Sequence, residues 1–254
     1  GDDWEMRLSD PVKSAAAVAA NTHGKAGTAL GSYTEAHAVL GAANNQLTEA
    51  GAFLNTAIGG LEQRIAQFTG EAETAPAPVK SEQALASAES RLVMVEGNKA
   101  AAEQAISAGD RSVFPKGPAA DAKPTLVEQR TEAAALVKEL PPPLAGPKSQ
   151  PVVTLQGLNT AELAITKTSG NAGSATVALH VAVDTVDTAK VKLETALEEA
   201  RAVQRKIEAL EAELDTAPDP DAFRAGKKEE AEKLLSDLAR AKAAVKAAVP
   251  PAKP

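Results

Sequence analysis

Three histidines, His23, His37 and His180, are the only imidazoles in the chain. Imidazole is the side chain best placed to bind a transition metal or to carry a proton near neutral pH. His23 and His37 stand two heptads apart beside one apolar seam, and His180 lies beside a second. None has a partner at the three- or four-residue spacing that puts two metal ligands on one helical face. A packed or solvated histidine is the simpler reading. Protonation of His23 and His37 near a packed seam would still cost stability, which gives those two a pH-responsive role to test.

Carboxylates are more numerous, with groups at Glu198-Glu199, Glu208-Glu211-Glu213 and Glu229-Glu230-Glu232. Paired carboxylates can do general acid–base work or hold a cation, but these are interleaved with Lys190, Lys192, Arg201, Arg205, Lys206, Lys227, Lys228 and Lys233. Solvated ion pairs one helical turn apart account for them more simply. Asp184, Asp187 and the run from Asp215 to Asp221 lack the ligand spacing and central glycine of a helix–loop–helix calcium site. The glycines around Gly24-Lys25-Ala26-Gly27 and Gly170-Asn171-Ala172-Gly173 follow no strand and lack the lysine–hydroxyl ending of a phosphate cradle. There is no cysteine, so no thiolate nucleophile or disulfide framework is available, and no serine sits in a nucleophile elbow. These residues supply no catalytic, cofactor-binding or metal-binding set, and a non-enzymatic protein is expected.

What the sequence does supply is a pair of ladders. Val12, Ala19, Ala26, Tyr33, Leu40, Leu47, Leu54, Leu61 and Phe68 repeat every seven residues, and Ala15, Thr22, Ala29, Ala36, Ala43, Ala50 and Ala57 follow three residues behind the first rungs. A second ladder runs through Leu158, Ile165, Ala172, Leu179, Val186, Leu193, Ala200, Ile207 and Leu214, with its own small companions from Ala161 to Leu210. Apolar heptads with small companions describe helix–helix seams that let backbones approach closely. The strongest seam positions are Leu40, Leu47, Leu54, Leu61 and Phe68 on the first ladder and Leu179, Val186, Leu193, Ile207 and Leu214 on the second. The fold expected is all-α: an elongated antiparallel helical bundle with two long coiled-coil-like helices and a loop-rich head. It forms a single body over 1–249, the head lying mainly within 109–157, with a proline-rich tail at 250–254. The ladders could instead join separate chains, but the intervening loops are long enough for the helices to fold back on one another.

Capping signals set the expected bounds. Asp10-Pro11 reads as the start of the first helix, which runs to about Phe68 and spans roughly 85–90 Å, with Gly70 closing it in a left-handed turn. Gly24, Gly27, Gly31 and Gly41 weaken its early half and suggest close packing or bending. Ser81 caps a second helix that Gly109 ends, and residues 109–124 read as a loop carrying Val113 and Phe114. A short helix over 125–140 stops at Pro141-Pro142-Pro143, and the chain from Pro147 to Gly157 is read as irregular, with an extended piece at Val152-Val153-Thr154. The second long helix starts near Asn159, with a weak spot at Ser169–Ser174, and a last helix covers Asp221 to Val249. Val113, Phe114, Pro141, Pro142 and Pro143 are the candidate exposed head.

The net charge of −7 and pI near 5.2 disfavour nucleic acid as a partner, since phosphate binding needs a basic stripe. Aromatics are only 2% of the residues and roughly a fifth of the chain is alanine, so the core is expected to be thin and built from Ala, Leu and Val. No apolar run reaches the length of a bilayer span, and no Asn-x-Ser/Thr sequon occurs, so N-glycan shielding is not expected.

An alanine- and glutamate-rich, cysteine-free chain with two long helices, proline-rich loops between them and a Pro250–Pro254 tail resembles the glutamic acid/alanine-rich surface antigens of insect-stage African trypanosomes. The likeness is one of composition and layout and includes no diagnostic motif. It implies an extended helical bundle related in architecture to variant surface glycoproteins and to the trypanosome haptoglobin–haemoglobin receptor. It also implies a glycosylphosphatidylinositol anchor attached beyond the C-terminal end, with leader and anchor signal absent from this mature stretch. The function implied is that of a coat: a monomer in solution, lipid-anchored on the extracellular face of the plasma membrane, packing laterally with its own copies and touching the membrane only through the anchor. The alternatives are a receptor on the same scaffold for a macromolecular ligand, with Val181, Val183 and Val191 as the largest apolar patch, and a secreted or bacterial coiled-coil adhesin.

Overall fold

The computed structural model describes residues 4–74, 78–113, 122–141 and 145–249. Side chains at 4–20, 22, 23, 113, 122–127, 129, 150, 154, 161, 164, 165, 168 and 169 lie outside the description. Phe114, Pro142, Pro143 and the 250–254 tail lie wholly outside it. The described residues form six α-helices and no strand: α1 (Trp4–Thr69), α2 (Pro78–Val113), α3 (Ala122–Lys138), α4 (Gln150–Thr216), α5 (Pro220–Gly226) and α6 (Lys228–Ala248). Two of them are long, α1 with 66 residues and α4 with 67.

Helix ends follow capping chemistry at some places and override it at others. Gly70 adopts φ 81°, and the Glu71 amide reaches back to the Ala66 carbonyl at 2.9 Å, the six-to-one closure that a left-handed glycine makes possible. At the other end, α1 begins at Trp4 rather than at Asp10. Pro11 thus falls in the second turn of the helix instead of its first, at the expense of the bond to the Arg7 carbonyl and with the crowding against that carbonyl that a proline ring brings inside a helix. Helix α2 begins at Pro78, a residue suited to a first helical turn. Ser81 is therefore not a cap; it is buried and faces Gly60. Helix α4 starts at Gln150, so Val152-Val153-Thr154 is helical rather than extended. Pro151 falls in the first turn, where amides have no intrahelical acceptor, and the Val153 amide already donates to the Ser149 carbonyl at 3.0 Å. The helix continues unbroken through Ser169–Ser174. The last helical stretch is divided instead: Asp219 accepts from the Ala222 amide at 3.2 Å to cap α5, and the chain restarts as α6 after Lys227.

The chain forms two compact units. Unit 1 comprises Gly1–His37 with Ala102–Val181, and unit 2 comprises Ala38–Ala101 with Ala182–Pro254. In unit 2, α1 and α2 meet antiparallel, since Gln46 lies across from Asn98 at 2.8 Å and Glu49 from Arg91. Helices α2 and α4 are also antiparallel, joined at Glu96–Lys190 (2.9 Å) and Glu89–Arg201 (2.5 Å). Helix α6 runs opposite to α4 and α1, with Arg240 beside Glu199 at 3.8 Å and Val245 and Val249 beside Gly51. The centre of this unit is leucine-rich: Leu47, Leu54, Leu61, Leu85, Leu193, Ile207, Leu234 and Leu238 are all buried. At its end, the Phe68 and Phe223 rings meet edge to face, 6.2 Å between centroids and 84° between planes. In unit 1 the described buried set is smaller and mostly alanine, with Ala26, Ala29, Ala36, Ala102, Ala133 and Ala172 around Tyr33, Ile106, Leu158 and Leu179.

Candidate functional site

In unit 1 the polar chemistry gathers on one carboxylate. Asp110, in the last turn of α2, accepts from the Tyr33 hydroxyl of α1 at 2.5 Å and from the Thr176 hydroxyl of α4 at 2.6 Å. His180 Nε2 stands 3.3 Å from its second oxygen. Gly109 makes this possible, because a Cβ there would stand 2.5 Å from Tyr33 Cε1 and 2.9 Å from Cδ1. Gly109, expected to end the second helix, thus lies inside it as a notch for an aromatic ring. Burial and then the bond to Asp110 push the Tyr33 phenol up to about 12. Burial alone would raise the Asp110 carboxyl, but the bonds from Thr176, Tyr33 and His180 together hold it below its ordinary value. The Tyr33 side of the cluster is buried, the residue being 3% exposed, while the His180 side faces solvent. The cluster ties α1, α2 and α4 together.

In unit 2 a groove of about 610 Å³ runs between α2 and α4. Its floor is Leu92 and Leu197, both buried, and its walls carry Val93 and Val191, which are 68% and 50% exposed. Glu89, Glu96, Glu194 and Glu198 line it against only two cations, Lys190 and Arg201. Lys190 is held by Glu194 and Glu96, which raise it above the ordinary lysine value. Arg201, bonded to Glu89, is raised as well. The bond from Arg201 lowers Glu89, the bond from Lys190 lowers Glu96, and the bond from Lys99 lowers Asp187. Nearby Arg64, only 3% exposed, grips Glu211 through two bonds of 3.0 and 2.9 Å and lies 3.9 Å from Glu208. The sequence suggested ion pairs one turn apart within a helix; Lys190–Glu194 is such a pair, but Arg64, Arg91, Lys99 and Arg201 reach across to another helix.

The expected seam residues Leu40, Leu47, Leu54, Leu61, Phe68, Leu179, Val186, Leu193 and Ile207 are buried, and Leu214 is half-buried. Of the expected head, Pro141 is exposed and Val113 is the last residue of α2; Phe114, Pro142 and Pro143 lie outside the described residues. Of the apolar patch, Val183 is buried, while Val181 and Val191 are exposed. His37 is exposed, and the His23 side chain lies outside the described residues. The histidine with a described partner is His180, which was expected only to lie beside the second ladder and was given no pH-responsive role. A Cβ at Gly24, Gly27, Gly31 or Gly41 would meet nothing within 4 Å, so these glycines do not mark close packing. Among the described residues no group of three or more His, Cys, Asp or Glu could hold a metal ion, and no helix is long and apolar enough to cross a membrane.

Fold and polar inventory together define the class: an all-helical protein with two long helices, whose charged side chains fasten helix to helix. No known protein family, curated protein or solved structure matches the chain.

Proposed function

We propose that the protein is a non-enzymatic surface coat protein of an insect-stage trypanosome, an elongated antiparallel helical bundle held on the outer face of the plasma membrane by a lipid anchor beyond its C-terminal end. The observation that carries this reading is how the charges of α2 and of two helices of 66 and 67 residues are used. Arg64, Arg91, Lys99, Lys190 and Arg201 fasten one helix to the next, while threonines on outer faces, such as Thr34, Thr56 and Thr195, satisfy their hydroxyls on the carbonyl one turn back. Polar groups used this way suit the narrow, well-solvated body that the reading requires. At ~1.5 Å per residue, helices of this length would give the proposed rod a length of roughly 85–110 Å. Such rods standing side by side would deny proteases and other large molecules access to the bilayer.

Two measurements test the reading. Small-angle X-ray scattering behind size exclusion should find a monomer near 26.0 kDa with a maximum dimension in that range, whereas a particle under about 60 Å would end the rod hypothesis. The protein tethered by its C-terminus to a supported bilayer should slow a phospholipase in step with surface density. An unchanged hydrolysis rate at saturation would refute the coat.

A further inference from the structure

We infer that the groove between α2 and α4 of unit 2 receives the C-terminal half of α6 from a second copy of the chain, so that neighbours in the layer dock groove to helix. This rests on the coat reading and names the contact by which copies pack.

Three observations converge on it. The first is shape and polarity: Val93 and Val191, from different helices, expose their side chains into one groove instead of burying them. The second is charge. Glu89, Glu96, Glu194 and Glu198 outnumber Lys190 and Arg201 there, leaving the lining net negative. In α6 the last acid is Asp237; beyond it the helix presents exposed Ala239, Arg240, Lys242, Ala243, Lys246 and Ala247. That surface combines small side chains able to approach two valines closely with two lysines, Lys242 and Lys246, able to meet the glutamates, beside Arg240, which pairs with Asp237 of its own helix. The chain as a whole is negative, so copies would otherwise repel, and this basic face is the part suited to overcome that repulsion.

The third observation is level. Arg240 stands beside Glu199, and Val245 and Val249 lie at Gly51 of α1, two residues from Glu49, which pairs with Arg91 of α2. Glu89 and Arg201 bound the groove close to that same level. Within unit 2, therefore, groove and basic face lie at one height on different sides. Two copies standing upright and parallel bring one against the other without any vertical shift. Because the two surfaces differ, the contact is heterologous and need not close on itself. Repetition extends a layer instead of ending at a dimer.

The absence of cysteine makes the test clean. Full-length Val191→Cys and mass-tagged full-length Ala243→Cys, both at exposed positions, are tethered together at saturating density on a supported bilayer and treated with a short bismaleimide. The expected result is cross-linking of the mixed pair and little from either variant alone. Lys242→Glu with Lys246→Glu in the donor should lower the mixed product about tenfold, and Glu194→Lys with Glu198→Lys in the acceptor should restore it. Equal cross-linking in all combinations, no mixed product, or a yield indifferent to the charge reversals would overturn the inference, the last pointing to another occupant for the groove. A layer that slows the phospholipase yet gives no mixed product defeats this contact and leaves the coat reading standing. Mixed product in a layer that gives no protection does the reverse.

Discussion

Units 1 and 2 draw on the same three helices, α1, α2 and α4, and obey the same heptad rule, yet they bury different matter. Unit 2 fills its seam with Leu47, Leu54, Leu61, Leu193 and Leu238 and stitches its flanks with ion pairs. Unit 1, where described, fills much of its seam with alanine and ties three helices to one carboxylate at Asp110. Each buried methylene is worth about 0.8 kcal/mol, so an alanine rung returns far less than a leucine rung. Small rungs gain close backbone approach but leave specificity to other groups. The lesson is that one pattern of apolar periodicity can be stabilised by volume in one region and by a polar hub in another.

The largest expected effect probes the volume side. Leu54 is fully buried in unit 2, and Leu54→Ala should cost about 2–5 kcal/mol, as core truncations that leave a cavity do. Urea unfolding followed by circular dichroism measures it, and a loss below about 1 kcal/mol would mean that the unit 2 seam collapses around the gap. The next effect probes the hub. Gly109→Ala would drive a methyl into the Tyr33 ring and should cost about 1–3 kcal/mol, the usual penalty of overpacking. In a Tyr33→Ala background the same substitution should cost almost nothing. Equal costs in the two backgrounds would show that the ring and the notch are not coupled.

Much of unit 2 was legible because volume leaves a trace in the sequence: Leu40, Leu47, Leu54 and Leu61 recur at the heptad and are buried as a row. The hub was less legible, because hydrogen bonds from residues 33, 176 and 180 to residue 110 leave no period. Gly109 followed by Asp110 reads locally as a helix stop, and only the aromatic ring lying across it shows why glycine belongs mid-helix. A faint signal existed: the single tyrosine of the chain occupies a ladder rung. Val152-Val153-Thr154 misled for a related reason, since β-branched residues beside Pro151 read as extended while a proline in the first turn of a helix costs little. The α2–α4 groove was half visible, with Val191 noticed as exposed apolar surface but Val93 on the facing helix missed.

Tyr33 gives the third prediction, about its own titration. Its phenol, ordinarily near 10, is pushed up to about 12 in the fold. The contribution to stability is therefore complete below pH 10 and is lost as pH rises toward 12. Because the chain has one tyrosine, phenolate absorbance reports that group alone, and a midpoint near 10 in the folded protein would sink the hub geometry. Tyr33→Phe should cost about 1 kcal/mol at neutral pH through the lost hydrogen bond and should remove this residue's share of the alkaline loss.

The smallest effect is expected at the ion pairs of unit 2, and its pH dependence has the opposite sign. Arg201 holds Glu89 below the ordinary carboxylate value, so the stability from this pair is present above that value and disappears as pH falls through the lowered one. Glu89 is 54% exposed, where screening by water keeps such a pair to about 0.2–1 kcal/mol. Glu89→Gln should thus shift the urea midpoint slightly at pH 7, and about 1 M salt should shrink the difference. At a pH low enough to protonate the glutamate in both states the difference should vanish. A cost of several kcal/mol that survives salt would mean that charge, and not leucine volume, holds unit 2 together, which would erase the contrast with the hub of unit 1.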